Sequence, residues 1–547
     1  MSENTNSPEG ENTSAVRSGD GDLADATSSR KRRRTVVAGS AAAALVVAGG
    51  AAAIAGSGML GGGGSQPEDV LPGESIVFVK VDLDPGVAQK VGAFRLMDKL
   101  PQAKEALNSG DPKKALFEWI SANDKDVKVD YAADVEPWLG DRVGMAILAP
   151  QGSSTEPVPV VAVQVKDEAK AREGIAKLEA QSKDAIAGAK DTAAKAMESA
   201  TGPGASPSAG AKSDSEPVQI FRNGYLVVTD AANEQRVTSA MDAGALSAND
   251  TFKADMSALG EKGVASGWVD GPKSMSLQGG SSTPAAMEEL AALGGRSAFA
   301  LRFSADYLEF AQVNRDVKLS TQAPALKDVA NLPATTGAFY SFSGGSAYLG
   351  ELWPTITKFA AAAVGPGADF EAQLKEIEQQ TGLVLPQDLQ TLLGEQFDVV
   401  VPKQDFKDAQ GMPQVGMRLW GDTAKSEAVL KKITDLANEQ GAMLPIQTQT
   451  SDGHFDISLL GGSFAALASV ADSGQSVSAA PGFAKVLPDL AKANSALYVD
   501  LDAFESQYLP EVPAEHRELV QALQAVGMTA QPITNGEQHS TLRVSVN

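Results

Sequence analysis

Apolar residues at every second position predict a β-strand near the start of the globular part of the chain. They occur in IVFVKVDLD, at 76–84, where the period of two is that of a strand. Apolar residues then recur at helical spacing over 87–100, so a helix with one apolar face should follow. Asp84 and Pro85 stand between the two patterns and are expected to be the N-cap and the first residue of that helix.

Paired apolar runs predict antiparallel strands further along the chain. VGMAIL at 143–148 and VPVVAVQV at 158–165 are separated by Pro, Gly and Ser, and 296–314 has the pattern of a hairpin. Asp452 and Gly453 form a dipeptide typical of a hairpin turn. Helical patterns follow such strands at 166–180 and 421–440. This mixture of hairpins and helices indicates an α+β fold with largely antiparallel sheets.

The order of these patterns occurs twice, which predicts an internal duplication. KDEAKAREGIAKLEA, for example, aligns without gaps on GDTAKSEAVLKKITD. The matching segments are 71–86 with 332–346, 136–150 with 390–404, 166–180 with 421–435, 221–230 with 454–463, and 252–274 with 483–506. We therefore predict two tandem α+β lobes, 70–317 and 331–547, the first carrying an Ala/Pro/Gly/Ser-rich insert at 181–217.

The N-terminal residues have a different composition, which predicts a location for the protein. Residues 1–34 are polar and end in a basic cluster, and we expect them to form a disordered cytoplasmic tail. Residues 35–60 carry no charge and predict a single transmembrane helix, with 61–69 as a flexible tether. The residues that signal this topology are Arg30, Lys31, Arg32, Arg33 and Arg34. A cleaved signal peptide is the alternative for the same segment.

This topology predicts a protein of the cell membrane whose N-terminus is cytoplasmic and whose residues 66–547 are extracytoplasmic. The lipid bilayer is then a predicted partner, through residues 35–60. A partner protein or a ligand of the cell envelope is also possible on this view, and the sequence does not identify it.

Charge and the rarity of two residue types exclude several classes of function. The net charge of −23 disfavours nucleic acid as a partner, because phosphate binding needs a basic surface. Cysteine is absent and there are three histidines, so disulfides, thiol catalysis and zinc held by cysteine are excluded, and a triad built on histidine is disfavoured.

The tetrapeptide Val-Asp-Leu-Asp occurs at 81–84 and again at 499–502, and it suggests two kinds of site. A calcium loop fails, because Gly86 and Ala93 stand where the third and twelfth ligand positions would fall. A catalytic pair of carboxylates is disfavoured, because Asp82 and Asp84 lie at the polar end of a strand, where capping explains them. We read each copy as a joint between a strand and a helix.

No intact catalytic or nucleotide-binding motif occurs in the chain, so we predict no catalytic, cofactor-binding or metal-binding residue and no cofactor. The expected protein is therefore not an enzyme but one that binds or scaffolds. Two alternatives stay open: an extracytoplasmic hydrolase that uses carboxylates, and a carrier of lipid or another small ligand.

Several segments together resemble a known bacterial family. They are the basic-flanked apolar segment, the VDLDP strand end, the helical QKVGAFRLMDKLP, and LGDRVGMA and NGYLVVTD. The chain resembles the membrane-anchored proteins of actinomycetes grouped as domain of unknown function 3352, and the likeness covers most of 70–547. This resemblance implies an anchored, exported protein and brings no known activity or catalytic residue.

Overall fold

A computed structural model gives the fold of most of the chain. It describes residues 64–100, 114, 130–152, 156–181, 217–278, 292–320, 322–364, 370–405, 413–442, 445–459, 464–467 and 475–547. We refer to the described residues up to 320 as the first half and to those from 322 onward as the second half. All of them belong to one compact unit, which spans Ala48–Asn547.

Both halves contain strand hairpins and helices. The strands are β1 Val77–Asp82, β2 Leu139–Leu148, β3 Val158–Val165, β4 Pro217–Arg222, β5 Tyr225–Asp230, β6 Ala265–Asp270, β7 Arg296–Phe303, β8 Tyr307–Arg315, β9 Thr336–Ser343, β10 Gln396–Pro402, β11 Val415–Trp420, β12 Ile446–Ser451, β13 His454–Leu459, β14 Ser495–Asp500, β15 Leu523–Ala530 and β16 Glu537–Val546. The helices are α1 Val87–Asp98, α2 Glu168–Gln181, α3 Glu234–Ala243, α4 Asp250–Leu259, α5 Gly271–Ser274, α6 Gly345–Val364, α7 Phe370–Thr381, α8 Gln387–Leu393, α9 Thr423–Glu439, α10 Phe483–Val486, α11 Leu501–Tyr508 and α12 Arg517–Gln521.

All sixteen strands form one antiparallel sheet, and their order is the same in the two halves. The order is β12-β13-β11-β10-β9-β14-β15-β16-β8-β7-β6-β1-β2-β3-β5-β4. Read from its outer edge, the first half runs 4-5-3-2-1-6-7-8, and adding eight to each number gives the order of the second half. The predicted lobe boundaries, 70–317 and 331–547, stay a prediction, because one sheet runs through both halves.

The last strand of each half joins the two halves. β8 and β16 pair along their length, from Tyr307 opposite Ser545 to Arg315 opposite Glu537. Close to the Tyr307 end of this junction Glu309 is buried between two arginines. Its carboxylate accepts hydrogen bonds from Arg302 Nη1 at 2.9 Å and from Arg543 Nε at 2.8 Å. The junction is therefore a backbone ladder with a buried ionic contact.

An aromatic trio repeats in the two cores, with two rings on corresponding strands and one on a helix, α4 in the first half and α10 in the second. In the first half Phe252 packs edge-on against both Phe78 and Trp268, with ring centroids 5.3 and 5.7 Å apart. The trio of the second half consists of Phe339, Phe483 and Tyr498, whose ring centroids lie 5.3 to 6.4 Å apart. Burial of such rings stabilises each half at the same place on the sheet.

Three local predictions are confirmed. β2 and β3 are antiparallel neighbours, and β7 and β8 form the predicted hairpin over 296–314. Ser451 pairs with His454 across the Asp452–Gly453 turn. The predicted cap of α1 is wrong, however. Gly86 is the N-cap, whereas Asp84 accepts a hydrogen bond from Lys90 Nζ at 2.6 Å.

The predicted transmembrane helix at 35–60 needs correction. In the part of the chain that the structure describes, no helix is long and apolar enough to cross a membrane. Residues 35–60 lie outside that part, as do 1–34. The prediction rested on the absence of charge, but this segment consists largely of Ala and Gly, which bury little apolar surface, and Gly disfavours a helix. The location and the bilayer contact predicted from it are not tested by the structure.

The predicted tether at 61–69 ends inside the fold. Pro67–Asp69 form a 3₁₀ turn in which Pro67 and Glu68 are buried, and Asp69 accepts a hydrogen bond from the Gln66 N–H at 2.7 Å. The predicted insert at 181–217 falls between α2 and β4, and residues 182–216 lie outside the described residues.

Candidate functional site

A cleft of about 430 Å³ opens in the first half, where β1 ends and β6 begins. Its walls come from Gln66, the end of β1, the first turn of α1, and residues 261–266. Charged and hydroxyl groups on its floor make it the strongest candidate for a functional site.

Lys80 lies on the floor of the cleft because successive side chains of β1 point to opposite faces of the sheet. Phe78 enters the core, so Lys80, two residues later, faces the same buried side of the sheet. Only 6% of Lys80 is exposed. Its ammonium donates hydrogen bonds to Gln66 Oε1 and to Glu68 Oε1, each at 2.9 Å. Burial lowers the pKa of Lys80, and the charge of Glu68 acts in the opposite direction.

Glu68 is the shared partner of two lysines. It is 3% exposed, and its Oε1 lies 2.9 Å from Lys80 Nζ and 3.3 Å from Lys262 Nζ. Lys262 is 43% exposed and stands at the mouth of the cleft. A buried carboxylate is costly without a cation beside it, so Glu68 depends on these two lysines.

A glycine lets the 3₁₀ turn bring Glu68 onto the strand. Gly144 lies opposite Lys80 on β2, and a Cβ atom at this position would overlap with the ring of Pro67. Because glycine has no side chain, Pro67 packs directly on β2, and Glu68 comes within reach of Lys80. The ion pair therefore depends on a small residue one strand away.

Ser266 lies on the other side of Lys80 and lines the same cleft. The two residues are opposite each other on β6 and β1. Ser266 is 1% exposed, and within the described part of the chain its hydroxyl has no hydrogen-bond partner. A buried hydroxyl without a partner is costly, and a ligand could supply the missing hydrogen bond.

In each Val-Asp-Leu-Asp copy the first carboxylate accepts hydrogen bonds from nearby groups of the protein. Asp82 accepts from Arg142 Nε at 3.1 Å and from the Asp84 N–H at 3.0 Å. In the second copy Asp500 caps α11 by accepting from the Ala503 N–H at 3.3 Å. Among the residues that the structure describes, no group of three or more His, Asp or Glu could hold a metal ion.

A second cleft, of about 400 Å³, lies beside the first. Gln89 and Glu261 border both clefts, and Gln89 Nε2 donates to Glu261 Oε1 at 2.8 Å. The second cleft reaches Arg302 and Glu309 at the junction between the halves. These two side chains are paired with each other. Among the described residues, only the first cleft is lined by a residue, Ser266, whose buried side chain lacks a hydrogen-bond partner.

The corresponding place in the second half carries other residues. Ser341 occupies the position of Lys80, with Asp398 and Ala496 opposite it on the neighbouring strands. Asp398 is buried and accepts from Trp420 Nε1 at 2.7 Å and from Gln396 Nε2 at 2.8 Å. Burial raises the pKa of this carboxyl.

An ion pair lies next to Asp398 on the same face of the second half. Arg418 donates to both carboxylate oxygens of Asp456, each at 2.8 Å. His454 Nε2 lies 3.6 Å from Asp456, and burial lowers the pKa of this histidine. The carboxylates of Asp398 and Asp456 thus both accept hydrogen bonds from side chains of the protein.

The sequence did not point to this site. Its one set of named positions, Arg30 to Arg34, lies outside the described residues. Lys80 is in a strand whose polar positions suggest solvent exposure, and Glu68 is in the predicted tether. One signal was present. Phe78 and Lys80 are two residues apart in a strand, so the charged side chain lies on the same face of the sheet as a large aromatic side chain, which is the face that packs on the core.

Comparison with known proteins gives one family. No curated protein and no solved structure gives a match to this chain. A family described as "Protein of unknown function (DUF3352)" matches residues 36–546, which is most of the chain and includes the whole cleft. The resemblance seen in the sequence is therefore confirmed at the level of the family, and the chain belongs to this family of unknown function.

Proposed function

We propose that the chain acts by binding a small polar molecule in the cleft of the first half, and that it does not catalyse a reaction there. The observation that carries this proposal is Ser266, a fully buried residue of the cleft lining next to a buried lysine, whose hydroxyl has no hydrogen-bond partner among the described residues. Native structures pair nearly all buried polar groups, so an exception inside a cleft indicates a place for a ligand.

The second half supports the proposal, because it forms the same strands without these groups. Ser341 and Ala496 stand where Lys80 and Ser266 do. Val329 precedes Ser341 by the same twelve residues that separate Glu68 from Lys80. Ser341 is itself a fully buried hydroxyl, so the comparison concerns the charges. The fold does not need a buried lysine and glutamate at these positions, and a desolvation cost that the fold does not require favours a functional role for that pair.

Binding fits the arrangement better than catalysis by carboxylates. A hydrolase of that kind needs two carboxyl groups that converge on the substrate. Here Asp82 is paired with Arg142, and Glu68 lies between Lys80 and Lys262. Asp82 and Glu68 thus each hold a cation of the protein, and the third carboxylate of the lining, Glu261, accepts from Gln89 Nε2. No two of these carboxylates converge on an open position, which favours binding over this kind of catalysis.

A single introduced cysteine can test the proposal, because the chain has none of its own. Gly86 lines the cleft, and a Cβ atom there meets no other atom within 4 Å. A fluorescent label on Gly86→Cys should respond in a saturable way to at least one of four probes: glucose, glycine, acetate or inorganic phosphate at millimolar concentration. The matched control is Gly294→Cys, which is equally open and lies outside the cleft lining.

The label at position 294 should not respond to the probe that affects position 86. Absence of a saturable response at position 86 to all four probes contradicts binding in the cleft. So does an equal response at both positions, because it indicates a general effect of the solute on the dye.

A further inference from the structure

We infer that the group held in the cleft is an oxyanion, a phosphate or a carboxylate, seated against the first turn of α1. The inference rests on the proposed function and adds to it the chemical class of the ligand. Three features favourable to an anion border the cleft: the N-terminal end of α1, two lysine ammonium groups and the buried Ser266.

The first turn of α1 presents free backbone donors. Gly86 is the N-cap and has no side chain to accept a hydrogen bond. The N–H groups of Val87 and Ala88 lack an intrahelical acceptor because of their position, and no other described residue accepts from them. The helix borders the first cleft through Gly86 and Gln89, whereas Ala88 lines the neighbouring second cleft. α1 has twelve residues, so its dipole adds positive potential at this end.

The corresponding helix of the second half has its first turn covered. There the Ser346 N–H, at the second position of α6, donates to the Gly394 carbonyl at 3.2 Å. The Gly344 N–H just before the helix donates to the Glu395 carbonyl at 2.7 Å. The loop before β10 therefore closes the end of α6, whereas the end of α1 borders an open cleft.

Positive side chains and a hydroxyl lie on the same cleft. Lys80 is on the floor, and Lys262 at the mouth keeps much of its surface in water. Ser266 supplies the independent observation, because it is a buried donor without a partner among the described residues, and it lines the cleft beside Lys80. A helix end, two ammonium groups and a hydroxyl are the donors that phosphate and carboxylate groups bind in proteins.

Negative groups of the cleft are engaged. Glu68 is held by the two lysines, and Asp82 by Arg142. Glu261 accepts from Gln89 Nε2 at 2.8 Å and lies on the rim. These carboxylates limit how many negative charges the cleft can take, so one oxyanion group at the α1 end is the expected occupancy.

Calorimetric titration of the unlabelled full chain with inorganic phosphate, and separately with acetate, tests the inference. Lys262→Gln and Ser266→Ala should each weaken binding by about tenfold, since each removes a hydrogen bond to a charged group. Lys253→Gln is the matched control, because Lys253 is an exposed lysine paired with Asp250 and lies outside the cleft lining. Its affinity should equal that of the wild type.

The two anions identify the source of the group: tighter binding of phosphate indicates a phosphorylated ligand, and tighter binding of acetate a carboxylic acid. If neither anion binds while the label at position 86 responds to glucose, the oxyanion is wrong and binding in the cleft stands. If the anions bind equally well to the wild type, Lys262→Gln and Ser266→Ala, they bind elsewhere and the inference is overturned. Lys262 is exposed, so its variant remains informative if Ser266→Ala fails to fold.

Discussion

The two halves place different chemistry on the same strand position. In the first half Lys80 forms a buried ion pair with Glu68, beside a cleft and beside Ser266, whose hydroxyl has no partner in the described part of the chain. In the second half Ser341 stands there, next to Asp398, whose carboxylate is bonded to Trp420 and Gln396. One backbone framework therefore accepts either a charged, open site or a closed polar cluster. The difference shows that this position is free to acquire a function without changing the fold.

The largest effect should come from breaking the ion pair of the first half. Lys80→Ala leaves Glu68 buried with only the mouth lysine, Lys262, so we expect the free energy of unfolding to fall by about 3–5 kcal/mol. Ser341→Ala, the matched change in the second half, should cost about 1 kcal/mol or less. Urea unfolding followed by circular dichroism measures both.

The double variant Lys80→Ser with Glu68→Val tests the same comparison by removing both charges of the ion pair together. It gives the first half the residues that the second half has, so most of the lost stability should return, because no unpaired charge remains. If the double variant is as unstable as Lys80→Ala, the two positions are not equivalent and the comparison between the halves fails.

A smaller loss is expected from Gly144→Ala, because the new methyl group would overlap with Pro67 and displace the turn that carries Glu68. Overpacking of this kind costs about 1–3 kcal/mol. Gly294→Ala is the control and should change stability by less than about 0.5 kcal/mol, since its Cβ would be in open space. Thermal unfolding of the two variants side by side checks the difference, and equal melting temperatures would contradict the role given to Gly144.

The closed cluster of the second half should show itself in the pH dependence of stability. Burial raises the pKa of Asp398 above its ordinary value of 3.8. The carboxyl of Asp398 then binds its proton more tightly in the folded state than in the unfolded state. Its contribution to the free energy of unfolding is therefore fully present below pH 3.8 and is lost as the pH rises through the folded pKa. The unfolding free energy of wild type minus that of Asp398→Asn should therefore decrease from pH 3 to pH 7. A constant difference across this range would show that Asp398 keeps its ordinary pKa.

The smallest effect concerns Ser266 in the absence of ligand. Ser266→Ala removes a buried hydroxyl that has no partner among the described residues, so stability should stay the same or rise by up to about 1 kcal/mol. The reciprocal Ala496→Ser places a hydroxyl at the corresponding site of the second half and should lower stability. A loss of stability in Ser266→Ala would mean that the hydroxyl already has a structural role.

Local features were predictable from the sequence, and contacts between distant segments were not. The β7–β8 hairpin and the Asp452–Gly453 turn follow from period-two patterns and turn residues that lie close together in the chain. The junction between β8 and β16 joins residues such as Glu309 and Arg543, and no local pattern specifies that pairing. The family was recognisable because its apolar segments are local patterns as well.

The candidate site was missed for a physical reason that its residues illustrate. Lys80 alternates with valines, as a solvent-facing strand residue does, and its burial depends on Glu68, which is supplied by a turn in the predicted tether. That contact needs Gly144 on a third segment, and a glycine in an apolar run carries no sign of what packs on it. A site assembled from three segments by packing leaves no spacing to detect in one sequence.

The position of β16 has a consequence for how the protein is made. β16 is the last of the sixteen strands in chain order, yet it lies in the middle of the sheet between β15 and β8. While the chain is being synthesised, one edge of β8 stays unpaired until Glu537–Val546 have left the ribosome. A chain that terminates early would lack this strand, and β8 and β15 would each present an open edge on which chains can aggregate.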